Sequence, residues 1–196
     1  MSEHVLPFTC ILLTHLRVSP KSSAWRSKHK NSDETIQELT IHGASEMPGR
    51  NEFEFSIDDA YLTGTPYVDG KKRIAEFAIA PESATNKFLH SLDQRLRELT
   101  VAHLKCEMDE CHWTPLLLDN DILKTCLALN AQGQPSLVCK DEKTGERISL
   151  YQLKQGAHLR LVLSIPQIYT IKKDNKKNHT GKHKCGALLV VRLVFG

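Results

Sequence analysis

The sequence predicts an α+β fold, mainly antiparallel β, in which a small barrel or curled sheet is accompanied by one long amphipathic helix. Three observations predict it. Apolar residues alternate with period two in both terminal thirds of the chain, a single central stretch changes to three- and four-residue steps, and turn residues punctuate the alternating segments at short intervals. At 196 residues one domain spanning 1–196 is expected, which can bury roughly 70% of the surface its unfolded chain would expose.

The elements follow in order. In PFTCILLTHLRV, Phe8, Cys10, Leu12, Leu16 and Val18 fall on one face of an expected strand, with His15 and Arg17 on the other. A basic loop over 19–32 comes next. TIQELTIH is the second expected strand, and after the Pro48–Gly49 turn EFEFSI is the third, with Phe53, Phe55 and Ile57 inward. Gly64–Thr65–Pro66 and Asp69–Gly70 mark turns before the strand RIAEFAIA. Then Phe88, Leu89, Leu92, Leu96 and Leu99 recur at helical spacing, which predicts a central helix over about 83–104 with Ser83 as N-cap.

Strands resume at LKTCLALN and PSLVCKD, separated by AQGQ, a hairpin-like connection. After the Lys143–Thr144–Gly145 turn and ISLYQLKQG comes AHLRLVLSI. Its Leu159, Leu161, Leu163 and Ile165 are expected inward and His158, Arg160 and Ser164 outward. A basic loop over 170–185 precedes ALLVVRLVF, apolar on both faces like a strand packed inside a sandwich or barrel. An OB-like barrel, with its helix between strands three and four, is compatible with this order.

Charge is concentrated rather than large. The net value is +3 at pH 7, yet residues 168–186 hold six lysines against Asp174, and KSSAWRSKHK adds Lys21, Arg26, Lys28 and Lys30. The remainder is therefore acidic, and two basic segments stand out from it, the footprint expected for a polyanion ligand. Six irregularly spaced cysteines make a poor disulfide framework and point to reduced thiols in an intracellular compartment, cytoplasm or nucleus. Met1–Leu16 lacks the basic start of a secretory signal, and no apolar run reaches the roughly 20 residues of a membrane span. No membrane partner is expected.

For catalysis the sequence offers no nucleophile elbow, P-loop, dinucleotide fingerprint or zincin helix. The pairs Asp58–Asp59 and Asp119/Asp121 are read as solvated turn residues, so no enzyme and no cofactor is expected. A zinc site has one lead: four residues separate Cys106 from Cys111, with His112 following, and three separate His179 from His183, with Cys185 following. The two halves are distant in sequence, and ordinary thiols and surface histidines are the simpler account.

Nucleic-acid binding draws on more of the chain. Lys172, Lys173, Lys176, Lys177, Lys182 and Lys184 offer charges to phosphates beside Tyr169, and Trp25 lies next to Arg26, with Lys28 and Lys30 beyond. Charge that tracks a backbone, interleaved with rings that stack on bases, suits a single strand. Outward Arg17, His158, Arg160 and Arg192 are expected to line the strand face between the two loops.

The run GERISLYQLKQGAHLRLVLSIPQIYTI, a basic loop and CGALLVVRLVF resembles the closing region of OB-fold single-stranded DNA-binding proteins of large DNA viruses, over about Leu123–Phe195. The resemblance implies that Tyr169 takes the family's aromatic position and Lys172–Lys173 its backbone-contacting one. Within the final strand, leucines and valines stand where the family leads one to expect an aromatic.

The expectation is a largely sequence-independent single-stranded nucleic-acid-binding protein, for DNA before RNA, in replication or repair of a viral or similar genome. A homo-oligomer on the strand is compatible with it. The alternative is a structural or assembly protein, such as a virion component, making protein–protein contacts. What separates the two geometrically is whether the basic segments share a face.

Overall fold

Strict alternation gives Phe53, Phe55 and Ile57 one face of a strand, and all three are buried, as are Phe77, Leu123, Leu161, Leu163 and Val191. The structure, a computed structural model, describes residues 7–21, 26–27, 34–43, 53–129, 137–173 and 183–195. Among these residues the strands are β1 (Arg17–Pro20), β2 (Arg26–Ser27), β3 (Glu34–His42), β4 (Phe53–Leu62), β5 (Tyr67–Asp69), β6 (Lys72–Ile79) and β7 (Cys111–Thr114). They continue with β8 (Leu117–Leu118), β9 (Ile122–Leu127), β10 (Val138–Lys140), β11 (Arg147–Ile148), β12 (His158–Lys173) and β13 (His183–Phe195). The single α-helix among them is α1 (Ala84–Leu104). The fold is α+β and mainly antiparallel.

Five strands pair in a closed path. β12 pairs with β4, β4 with β6, and β6 with β9, all antiparallel; β9 pairs with β13 in parallel, and β13 returns antiparallel to β12. The ring-like sheet encloses the apolar cluster that includes Phe55, Ile57, Phe77, Leu123, Leu161, Leu163 and Val191. Fully burying each such side chain is worth about 1.5–3 kcal/mol. In chain order the ring strands are β4, β6, β9, β12 and β13, so α1 falls between the second and third of them. This differs from the third-to-fourth placement of the expected OB-like order.

Helix α1 starts where Ser83 Oγ accepts the Asn86 backbone N–H at 3.0 Å, and it ends on Lys105 in the left-handed region. Leu89, Leu92 and Leu96 are its fully buried stripe. Phe88 stacks between Phe8 and Phe55, at ring separations of 5.1 and 5.5 Å. Asp93 anchors the following segment, accepting the Trp113 indole N–H and the Leu116 backbone N–H, each at 2.9 Å.

Three expectations are corrected. The segment Phe8–His15 is not a strand but two 3-10 turns, Phe8–Cys10 and Leu13–His15. Ile11 and Leu16 are buried there while Leu12 is 60% exposed, so burial steps by five and not by two. β9 and β10 do not form a hairpin: both run parallel to β13, meeting it at Val190–Val191 and at Leu193–Phe195. The AQGQ connection lies outside the described residues, as does the Pro48–Gly49 turn. Ser164, expected outward, is fully buried because the Arg192 side chain covers it and donates Nε–H to its Oγ at 2.9 Å.

Candidate nucleic-acid interface

Of the stretch expected as a basic loop over 170–185, residues 170–173 and 183–185 are strand, and the rest lies outside the described residues. Thr170, Ile171 and Lys172 on β12 oppose Cys185, Lys184 and His183 on β13. On its other side β12 meets β3, with Ile171 opposite Ile36, Lys172 opposite Thr35 and Lys173 opposite Glu34. The expected loop over 19–32 is interrupted in the same way. Ser19 and Pro20 belong to β1, while Arg26 and Ser27 form β2 and pair with Ile36 and Thr35 on the far edge of β3. β7 flanks β13, with Cys111 beside His183 and His112 beside Lys184.

Two rows therefore run across five strands. One is Ser27–Thr35–Lys172–His183–Cys111; the next is Arg26–Ile36–Ile171–Lys184–His112. Adjacent strands lie about 4.8 Å apart, so the backbone of Arg26 is about 10 Å from that of Ile171. The two basic segments meet at one end of one sheet.

Opposed residues share a face and successive residues alternate. Tyr169, Ile171 and Lys184 are on one face, with Lys184 exposed; Lys172 and His183 are on the other. Arg26 belongs by register to the Ile171 row, and Lys173 lies two residues beyond Ile171 on its strand. Tyr169 is opposite Gly186, and its ring lies across the glycine. A Cβ there would come within 2.5 Å of the phenol oxygen, 2.8 Å of Cζ and 3.1 Å of the Thr114 Cβ. Glu38, the other neighbour of Tyr169, holds Lys21 at 3.8 Å and accepts from Gln167 Nε2 at 3.3 Å.

Other candidates are placed elsewhere. Arg160 sits twelve residues before Lys172 on the same strand, about 40 Å along it at 3.3 Å per residue. Its guanidinium stacks on Phe195 at 4.3 Å and pairs with Glu142 at 3.6 Å. His158, near it, bonds Asp59 at 3.0 Å and packs on Tyr61. With Arg192 covering Ser164, these residues do not line a face between the basic segments. Trp25, Lys28, Lys30, Lys176, Lys177, His179 and Lys182 lie outside the described residues.

Of the metal candidates, the register brings Cys111 beside His183, and the Cys185 thiol donates a hydrogen bond to the Cys111 sulfur. That bond, assisted by the Arg97 guanidinium and opposed by burial, brings the Cys111 thiol down to about 7. The same bond and burial push Cys185 up, and burial pushes Cys106 up. All six cysteines are free thiols. No group of three or more His, Cys, Asp or Glu among the described residues is arranged to hold a metal ion. His183 is held below the ordinary imidazole value by burial first and by Lys172 second.

Sequence reasoning missed the outer face of the ring. Tyr61 and Tyr67 are exposed there, and Tyr67 donates to Glu76 at 2.6 Å with Lys124 over its ring at 5.7 Å. By parity with Phe53, Phe55 and Ile57, Tyr61 belongs inside. A register shift between Leu159 and Leu161 on the partner strand, with Asp59 at φ 59°, turns it outward. The pair Asp58–Asp59 was the signal for that irregularity.

The described residues thus define a mainly antiparallel α+β protein whose ring-like sheet extends into a flank with a basic end. No protein-family model matches the chain, and no curated protein matches it. Among solved structures it is similar to gp2.5, a single-stranded DNA binding protein encoded by bacteriophage T7. The identity is 11%, over 74% of this chain and 85% of that one, with a TM-score of 0.40. A likeness of that depth carries no argument about function, and it does not point to large DNA viruses in particular. No helix among the described residues is long and apolar enough to cross a membrane.

Proposed function

We propose that this chain is a non-enzymatic, largely sequence-independent binding protein for single-stranded nucleic acid, DNA in the first instance, serving replication or repair of a viral or similar genome inside the cell. One observation carries the reading: β3 joins the two basic segments edge to edge, so that Arg26 and Lys184 belong to one row of a single sheet. Lysines at that end neutralise phosphates, and Tyr169, backed by Gly186, offers a ring for a base. We read the closed ring as an OB-like barrel. Its fourth and fifth strands, β12 and β13, are joined by the lysine-rich segment, and in OB folds that connection helps to bind oligonucleotides.

The test is titration of a fluorescently labelled oligo-dT with the full chain at moderate salt. Micromolar or tighter binding is the expected result. No binding at tens of micromolar overturns the reading and returns the chain to an assembly role.

A further inference from the structure

We propose that Cys111 and Cys185 form a dithiol that hydrogen peroxide converts to an intramolecular disulfide, tying β7 to β13 at the foot of the basic end. The inference is independent of nucleic-acid binding. Cys111 opens β7 beside His183, and Cys185 lies two residues further along β13, so strand parity puts both sulfurs on one face. The Cys185 thiol and the Arg97 guanidinium both favour the Cys111 thiolate. Cys126 and Cys139 lie on other strands, β9 and β10.

Both sulfurs are buried, which selects for a small oxidant and a local opening. β7 supplies the opening: it is four residues long, pairs with β13 alone among the described strands, and begins at Cys111 after a 3-10 turn. Short edge elements open at little free-energy cost relative to global unfolding. Diagonal neighbours on adjacent strands have Cα atoms about 7–8 Å apart, whereas a disulfide wants about 4.4–6.8 Å. The start of β7 must therefore move inward by about an ångström as the bond closes.

The steps balance. The Cys111 thiolate attacks one peroxide oxygen, the O–O bond breaks, and hydroxide leaves, giving a sulfenic acid. The Cys185 sulfur gives its proton to that hydroxide, forming the first water, and attacks the Cys111 sulfur. The S–S bond forms as the S–O bond breaks, and the departing hydroxide, carrying the sulfenic acid's hydrogen, takes up as the second water the proton that Cys111 released to solvent on ionising. Two thiols lose two electrons and one peroxide is reduced to two waters.

The experiment treats the full chain with millimolar hydrogen peroxide, blocks remaining thiols, digests without reductant and reads the peptides by mass spectrometry. The expected product is a Cys111–Cys185 linked pair, two hydrogens lighter than the separate peptides and released by dithiothreitol. Cys185→Ser should replace it with a sulfenic acid at Cys111 that a dimedone probe captures, and Cys106→Ser should leave the link intact. Circular dichroism confirms that each variant is folded. A Cys106–Cys111 link as the main product, or folded protein with Cys111 unmodified, overturns the proposal. If Cys185→Ser does not fold, the wild-type peptide map and Cys106→Ser still decide it.

Discussion

Lys172 and His183 face each other directly across β12 and β13, in a row that continues through Thr35 to Ser27 on one side and to Cys111 on the other. The basic end of the sheet thus holds an imidazole whose protonation is opposed by burial and by a lysine.

That relationship sets a pH dependence. The folded state holds His183 below its ordinary value, so the unfolded chain binds the proton more tightly. The contribution of this group to stability is present above the ordinary imidazole value of about 6.5 and is lost as pH falls from there through the folded value. Urea unfolding between pH 8 and pH 5 should show stability declining over this window in the wild type, and a shallower decline in His183→Gln. Identical pH slopes would refute the assignment.

The lysines carry the second prediction. Changing Lys172, Lys173, Lys176 and Lys177 to glutamate should abolish oligo-dT binding while leaving the circular dichroism spectrum intact. In the wild type, six lysines on six phosphates give a slope of log K against log salt near −4, hence a loss of roughly two to three decades between 50 and 200 mM. A flat salt response would remove the phosphate contacts from the account.

Gly186 and Tyr169 carry the third. A side chain at Gly186 collides with the phenol that lies over it and with Thr114. Gly186→Val should displace the ring, costing about 1–3 kcal/mol of stability. Tyr169→Ala should cost about 1–3 kcal/mol of oligo-dT binding. Unchanged affinity in Tyr169→Ala would mean that the ring serves packing alone.

Arg160 supplies a negative control. Its guanidinium is engaged by Phe195 and Glu142, far along β12 from Lys172. Arg160→Ala should leave oligo-dT affinity within twofold and lower stability by no more than about 1 kcal/mol. A large loss of affinity would place the ligand at the other end of the strand.

Much of the scaffold was legible because it rests on local signals. Leu89, Leu92 and Leu96 mark their helix by spacing, Ser83 by its capping hydroxyl, and Phe53, Phe55 and Ile57 their strand by alternation. What escaped depends on partners distant in sequence. Lys172 and His183 look like loop residues by composition, yet β3 and β13 supply the backbone hydrogen bonds that make their segments strands. The apolar Phe8, Cys10 and Leu12 alternate but pair with no strand among the described residues, and short-range bonds such as Cys10 N–H to the Pro7 carbonyl win there. The placement of Arg160 at the far end of β12 followed from strand length, which the lysine-rich composition obscured. Trp25 was chosen for its chemistry, and the described residues do not include it.

The closed path of strands also has a consequence in time. β4 reaches β12 across some hundred intervening residues, as in the pairing of Phe55 with Leu163, and β9 needs β13 from the last segment of the chain. Contacts of such high sequence separation are formed late and slowly, on the millisecond-to-second scale typical of non-local β topologies. During synthesis the apolar faces of β4, β6 and β9 must wait, uncovered, until residues 158–195 have emerged. That interval, rather than the finished fold, is when this protein is most exposed to aggregation.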